Sequence, residues 1–164
     1  MREGERELDF DPAAFPGDRR LVFIGRIRSP WTNREDCPKN MREAREREMP
    51  ASVEIDEPYR IGLEGLERAS HIVILSWLDR AARNLIIQKP RHSPVASGTF
   101  ALRSPARPNP IGLHIAKLIS LDRGAGLLGI DAIDVLDGTP LLDLKPYFAS
   151  IDAMPDATVR PAEG

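Results

Sequence analysis

Between Leu102 and Leu113 the chain reads LRSPARPNPIGL, and prolines 105, 108 and 110 decide what this stretch can become. Each proline fixes its own φ and pushes the preceding residue toward extended geometry, so Ser104, Arg107 and Asn109 are held out of helix. The constraint extends along the chain. Its 15 prolines in 164 residues are roughly twice the usual frequency and leave little room for long helices, which argues against a helical bundle. A rigid polar loop contributes little to a core, but it fixes the guanidinium groups of Arg103 and Arg107. Such groups grip a carboxylate or phosphate through two parallel hydrogen bonds. The plainer alternative is a surface loop whose arginines pair with nearby acids.

The length fits one domain with a real core, and 41% hydrophobic and 29% charged residues describe an ordinary soluble globule. The lone Cys37 excludes an internal disulfide or cysteine zinc cluster and fits a reducing cytoplasm, so it reads as an ordinary small residue. The charged opening MREGERELDF is not a secretory signal, and no apolar run approaches a membrane span. A cytoplasmic protein with no membrane partner is expected. The net charge of -2 is not that of a protein relying on general phosphate attraction, but the charge is uneven. Arg26, Arg28, Arg34, Lys39 and Arg42 cluster early, Lys89, Arg91, Arg103 and Arg107 follow, and the stretch from Asp122 to Asp143 is acid-rich. This leaves room for a local basic surface facing nucleic acid, or for a solvated face.

Residues 1–20 carry weak periodicity and read as a loosely packed arm, followed by one domain over 21–158 and a short tail over 159–164. LVFIGRIR, residues 21–28, has a strand pattern stopped by Ser29-Pro30. NMREAREREM, residues 40–49, is rich in helix formers with almost no apolar stripe, and reads as a short exposed helix or ordered loop. Residues 51–57 suggest a short strand, and 58–68 a turn or single helical segment around Gly62 and Gly65. SHIVILSWL, residues 70–78, is a near-continuous apolar run too short for a core helix, hence a central strand. Residues 85–97 carry Pro90 and Pro94 and read as a loop, while 111–121 and 127–136 are strand-like runs joined by the hairpin signal DRGAG. Five or six strands without alternating long helices predict a mainly β protein: a small antiparallel barrel with short peripheral helices and long proline-rich loops.

GAGLLG, residues 124–129, formally matches a dinucleotide-binding glycine pattern, which needs a helix after the glycines. Here Gly138 and Pro140 arrive too soon, and the glycines suit a hairpin and its bulge. His71, His92 and His114 lack ligand spacing and predict no metal; they read as one core or sheet-end histidine and two surface ones.

DGTPLLDLKPY, residues 137–147, repeats the style of the proline loop: an acid, a turn-forming glycine, then alternating apolar residues. Together with RSPARPNPIG, IGRIRSPW (24–31), GLEGLERASHIVIL (62–75) and MPDAT (154–158), it resembles the TsaA-like, TrmO-type family of S-adenosylmethionine-dependent tRNA methyltransferases. The resemblance covers residues 21–158. It implies a small β-barrel, a homodimer with the cofactor near the subunit interface, and methylation of threonylcarbamoyl-adenosine beside the tRNA anticodon. Cys37-Pro38-Lys39-Asn40 resembles a variant of the cofactor-contacting loop, with Lys39 and Asn40 where many members show Arg-Gln. Asp79-Arg80 stands where methylating members tend to have a His–Gln pair, at a strand end that serves either a ligand or the first solvated step of a loop; His114 stands where a small hydroxyl residue is more usual and is not assigned to the ligand.

The cofactor's carboxylate, ammonium, sulfonium and adenine ask for a fixed cation, an acid or carbonyls, and an apolar slot. Arg103 is assigned the carboxylate or ribose side, Asp79 and Asp134 the ammonium or ribose hydroxyls, and Val135 and Leu136 the adenine slot. Asp137 or the Asn109 carbonyl orients the accepting amine and its proton, with the choice between them open. The other class of function this sequence allows is a barrel that binds S-adenosylmethionine as a sensor or regulator without chemistry.

Overall fold

The computed structural model describes residues 4–7, 21–90 and 93–160. The expected arm lies outside the described residues except for 4–7, as do Arg91, His92 and residues 161–164 of the expected tail. In chain order the elements are β1 (Arg6–Glu7), β2 (Gly25–Arg28), α1 (Met41–Glu46), β3 (Ala51–Ile55), β4 (His71–Trp77), β5 (Leu85–Gln88), β6 (Ser97–Gly98), β7 (Ile111–Asp122), β8 (Leu127–Ile130), β9 (Pro140–Pro146) and α2 (Ala149–Asp152). Short 3-10 turns cover Glu57–Leu63, Leu66–Arg68 and Thr99–Ala101. The mainly β expectation holds, and the helices are short.

Chain contacts divide the molecule into two units, one formed by Leu21–Asp79 and Ile111–Asp152, the other by Arg80–Pro110 with segments from both termini. In the first unit β2, β3, β8, β7, β4 and β9 pair in that order, all antiparallel, and β9 returns to β2 to close a barrel. Closure removes the exposed edges that an open sheet would offer for aggregation.

Alternation sets which side chains enter the barrel. Along β4, Ile72, Ile74 and Ser76 are buried while His71, Val73, Leu75 and Trp77 are only half-buried. The inward apolar set, Ile27, Val53, Ile55, Ile72, Ile74, Ala116, Leu128, Ile130 and Leu141, forms one continuous core. Gly25 permits β2 and β3 to approach: a Cβ there would overlap the Glu54 carbonyl oxygen. The DRGAG hairpin forms as expected, with the Ala125 amide donating to Asp122 Oδ1 at 2.9 Å.

Three readings are corrected. Residues 85–97 are not all loop: β5 pairs with β1 and β6, and Pro90 and Pro94 fall in the connection between strands rather than within one. The run from Leu127 stops being strand after Ile130: at Asp131 the backbone amide still donates to the Lys117 carbonyl (3.2 Å), but the Lys117 amide is taken by the Asp131 carboxylate (2.7 Å), which also accepts from Arg45 Nε (3.1 Å). The strand expected over 21–28 is β2 and begins only at Gly25; Leu21, Val22 and Phe23 stay well exposed, and regular pairing with β9 starts beside the Ile24–Leu141 hydrogen bond.

In the second unit, polar side chains brace the proline loop. Gln88 donates to Thr99 Oγ1 (2.5 Å) and to the Ala106 carbonyl (2.6 Å), and Arg83 Nε donates to the Pro108 carbonyl at 2.7 Å. Arg107 donates to the carbonyls of Ser104, Thr99 and Leu102. Prolines cannot donate, so side chains satisfy the loop's carbonyls.

Candidate functional site

The chain leaving β8, residues 131–137, carries four of the candidate residues in the barrel unit, Asp134, Val135, Leu136 and Asp137, and is held from several sides. The Trp31 indole N–H donates to the Ile133 carbonyl at 2.8 Å, and Ser29 Oγ donates to the Val135 carbonyl at 2.7 Å. Between these anchors stands Asp134, whose Oδ1 lies 2.7 Å from His114 Nδ1. His114 Nε2 lies 2.9 Å from Ser76 Oγ. A carboxylate only accepts, so Nδ1 carries the proton, and in the neutral ring the Ser76 hydroxyl donates to Nε2.

Ser76 and His114 are buried, and the Asp134 side chain retains 17% exposure, so the polar chain runs from the barrel interior to a partly accessible acid. Because β4 and β7 pair with Ser76 opposite Gly112, the hydroxyl and the imidazole meet at one end of the barrel. A Cβ on Gly112 would collide with both Ser76 Oγ and His114 Nε2, so the glycine makes room for their bond.

Other candidates have defined local roles. Asn40 caps α1, its Oδ1 accepting the Glu43 amide at 3.0 Å, while Glu43 Oε2 reaches back to the Lys39 amide at 3.0 Å. That amide bond, followed by the contact with Arg47, holds the Glu43 carboxyl below its ordinary range. Arg47 stacks 5.1 Å from the Trp31 ring centroid and donates to the Asp36 carbonyl, fixing the 37–40 loop to the buried indole. Lys39 and Asn40 are exposed.

Asp137 Oδ1 accepts the Ser29 amide at 3.1 Å, and Oδ2 lies 3.6 Å from Arg28 Nη1. Val135 is buried in the core, and Leu136 is half-buried with its carbonyl accepting from Thr139. Asp79 is exposed just beyond β4. In the second unit Arg80, Arg103 and Asn109 are exposed, the last two on the braced proline loop.

Two further observations come from charge. Burial, with the Asp134 carboxylate second, pushes the Cys37 thiol up to about 11, which favours its protonated form and slows its reaction as a nucleophile. Arg28 lies 3.0 Å from Glu54 Oε1 and Arg26 lies 3.8 Å from Glu54 Oε2, so both are already paired with an acid. Contact with Glu54 also raises the Arg28 guanidinium above its ordinary value.

Sequence reasoning missed the Ser76–His114–Asp134 chain. Its signal was a lone serine at an inward position of an apolar strand, and a histidine at an inward position of its neighbour. The register that joins them is not written in either segment.

The chain and its fold have counterparts among known proteins. Residues 26–153 match the family described as the tRNA-methyltransferase O N-terminal domain, and the chain belongs to that family. A protein of Archaeoglobus fulgidus called "Probable S-adenosyl-L-methionine-binding protein" is 39% identical over 140 residues, covering 85% of this chain and 37% of that protein. The tRNA (adenine(37)-N6)-methyltransferase of Mus musculus is 41% identical over 101 residues, covering 60% of this chain and 23% of the mouse protein. The crystal structure of TrmO from Pseudomonas aeruginosa superposes with a TM-score of 0.69 at 33% identity, over 87% of this chain and 61% of that one. The chain therefore spans between roughly a quarter and two thirds of the length of these three proteins.

Proposed function

We propose that this chain binds S-adenosylmethionine and uses it to methylate tRNA, the acceptor being the nitrogen of threonylcarbamoyl-adenosine beside the anticodon. The observation that carries the reading is the family match over 26–153, joined to 41% identity with the mouse tRNA methyltransferase. The reading includes a cytoplasmic homodimer and the one-domain division over 21–158. Among the described residues no helix is long and apolar enough to cross a membrane.

The chemistry of the barrel unit fits the cofactor. Asp134 is a partly exposed acid on a segment held through two carbonyls and its own carboxylate, which suits an ammonium or ribose hydroxyls. Leu136 is half-buried beside it in sequence and offers apolar surface to a base. Val135 sits in the core, so its contribution is to hold the segment's backbone. Lys39, Asn40 and Asp79 of the same unit are assigned polar contacts to the cofactor; for Arg80 a polar contact and for Arg103 the carboxylate or ribose side are proposed from the sequence alone.

When bound, S-adenosylmethionine supplies a methyl group on a sulfonium. Transfer would form the nitrogen–methyl bond as the carbon–sulfur bond breaks, with Asp137 or the Asn109 carbonyl orienting the amine and the released proton passing to the Asp137 carboxylate or to water. The chain's own task is alignment, which is worth roughly 7–11 kcal/mol when both reactants are held in a near-attack geometry.

The test is calorimetric titration with S-adenosylmethionine. The unsubstituted chain is expected to bind, and Arg103→Ala to bind about 1.5–3 kcal/mol more weakly through loss of a charge-assisted hydrogen bond. Absence of binding by the folded, unsubstituted chain contradicts the reading.

A further inference from the structure

The polar chain is more than a way of satisfying a buried serine. Ser76 sits in an otherwise apolar inward row, Gly112 is the residue that leaves space for its bond to His114, and the imidazole spends its second nitrogen on Asp134. Burying two polar side chains in a barrel core costs stability unless every donor and acceptor is matched. Here both are matched, and the chain ends on its most exposed member, Asp134. The flanking carbonyls of Ile133 and Val135 are separately held by Trp31 and Ser29. Backbone and carboxylate of the same residue are thus fixed independently, the arrangement expected of a group that must present one oxygen in a set direction. Asp134 accepts from the protein through Oδ1 among the described residues, which leaves Oδ2 for a ligand donor.

We infer that His114 is a positioning residue: with Ser76 behind it, it holds the Asp134 carboxylate so that Oδ2 receives the ammonium or ribose hydroxyl end of S-adenosylmethionine. The ligand named rests on the cofactor reading above; the positioning rests on the geometry. Ser76, fully buried, orients the imidazole and touches no substrate.

The experiment is a double-mutant cycle on His114 and Asp134 with two readouts. One is the S-adenosylmethionine dissociation constant from calorimetry. The other, free of ligand, is the rate at which Cys37 reacts with iodoacetamide, because its thiol feels the Asp134 charge. His114→Leu is expected to weaken cofactor binding about tenfold or more, as when a hydrogen bond to a charged group is lost. His114→Asn keeps an N–H where Nδ1 stood and is expected to recover most of that loss, which a purely space-filling role would not explain. In the Asp134→Asn background, His114→Leu is expected to change neither readout further. Independent, additive effects in both readouts overturn the assignment, as does a folded His114→Leu with unchanged cofactor affinity and Cys37 rate. If His114→Leu fails to fold, His114→Asn and Ser76→Ala carry the same cycle. Coupling at Cys37 without cofactor binding by the unsubstituted chain overturns the ligand reading instead, a failure distinguishable from the first.

Discussion

Single residues differ here in what their side chains hold. Arg107 spends its guanidinium on three carbonyls of its own loop, and Arg103, four positions earlier, is exposed. The sequence made both look like anion-gripping groups, because identical side chains on a stiff backbone differ only in which carbonyls come within reach. Cys37 was legible as a plain small residue, but its proximity to Asp134 was not, since nothing local links positions so far apart. Two outcomes follow from that proximity. With a thiol near 11, Cys37 is expected to alkylate at pH 8 on the order of a hundredfold more slowly than an unperturbed cysteine, and Asp134→Asn to speed it up. The same group bears on stability: the folded chain keeps a proton that the unfolded chain loses, so stability falls as pH rises from about 8.5 toward the folded value near 11. Cys37→Ala should remove that part of the alkaline slope in a denaturation series.

At the scale of elements, the long period-two runs were readable and the short ones were not. β4 announces itself through a near-continuous apolar run and β7 through a long strand-like one, and their pairing puts Ser76 opposite Gly112. β5 and β6 have only four and two residues, too few for a pattern to rise above the flanking prolines. α1 lacks an apolar stripe and depends on its cap, so Asn40→Ala is expected to cost about 1 kcal/mol in chemical denaturation, with Asn40→Asp close to neutral. Glu43 works in the same cap. Its lowered carboxyl contributes stability that is present above the ordinary glutamate value and is lost as pH falls through the folded value. Glu43→Gln should flatten that acid limb. Gly25→Ala is the severe substitution among these: with a Cβ driven onto the Glu54 carbonyl, β2 and β3 must part, and a loss of several kcal/mol or failure to fold is expected.

For the whole molecule, proline content and strand count pointed to a closed β architecture, and the six-membered ring of antiparallel strands is that architecture. A far-ultraviolet circular dichroism spectrum should accordingly be β-dominated. The division into two units was not legible, because the proline-rich segment looks like connecting loop until its small sheet and side-chain braces are seen. The basic surface also changes meaning at this scale. Arg26 and Arg28 are shared with Glu54, so replacing either should flatten the salt dependence of tRNA binding by less than the roughly one unit expected of a full phosphate contact. What separates an enzyme from a protein that only holds S-adenosylmethionine is transfer itself. The decisive measurement incubates the chain with S-adenosylmethionine labelled on its methyl group and total tRNA from a strain lacking its own enzyme of this kind, then digests the RNA to nucleosides. Label is expected in threonylcarbamoyl-adenosine, at a level reduced by Arg103→Ala. Tight cofactor binding with no label in any nucleoside would contradict this expectation and make the chain a sensor.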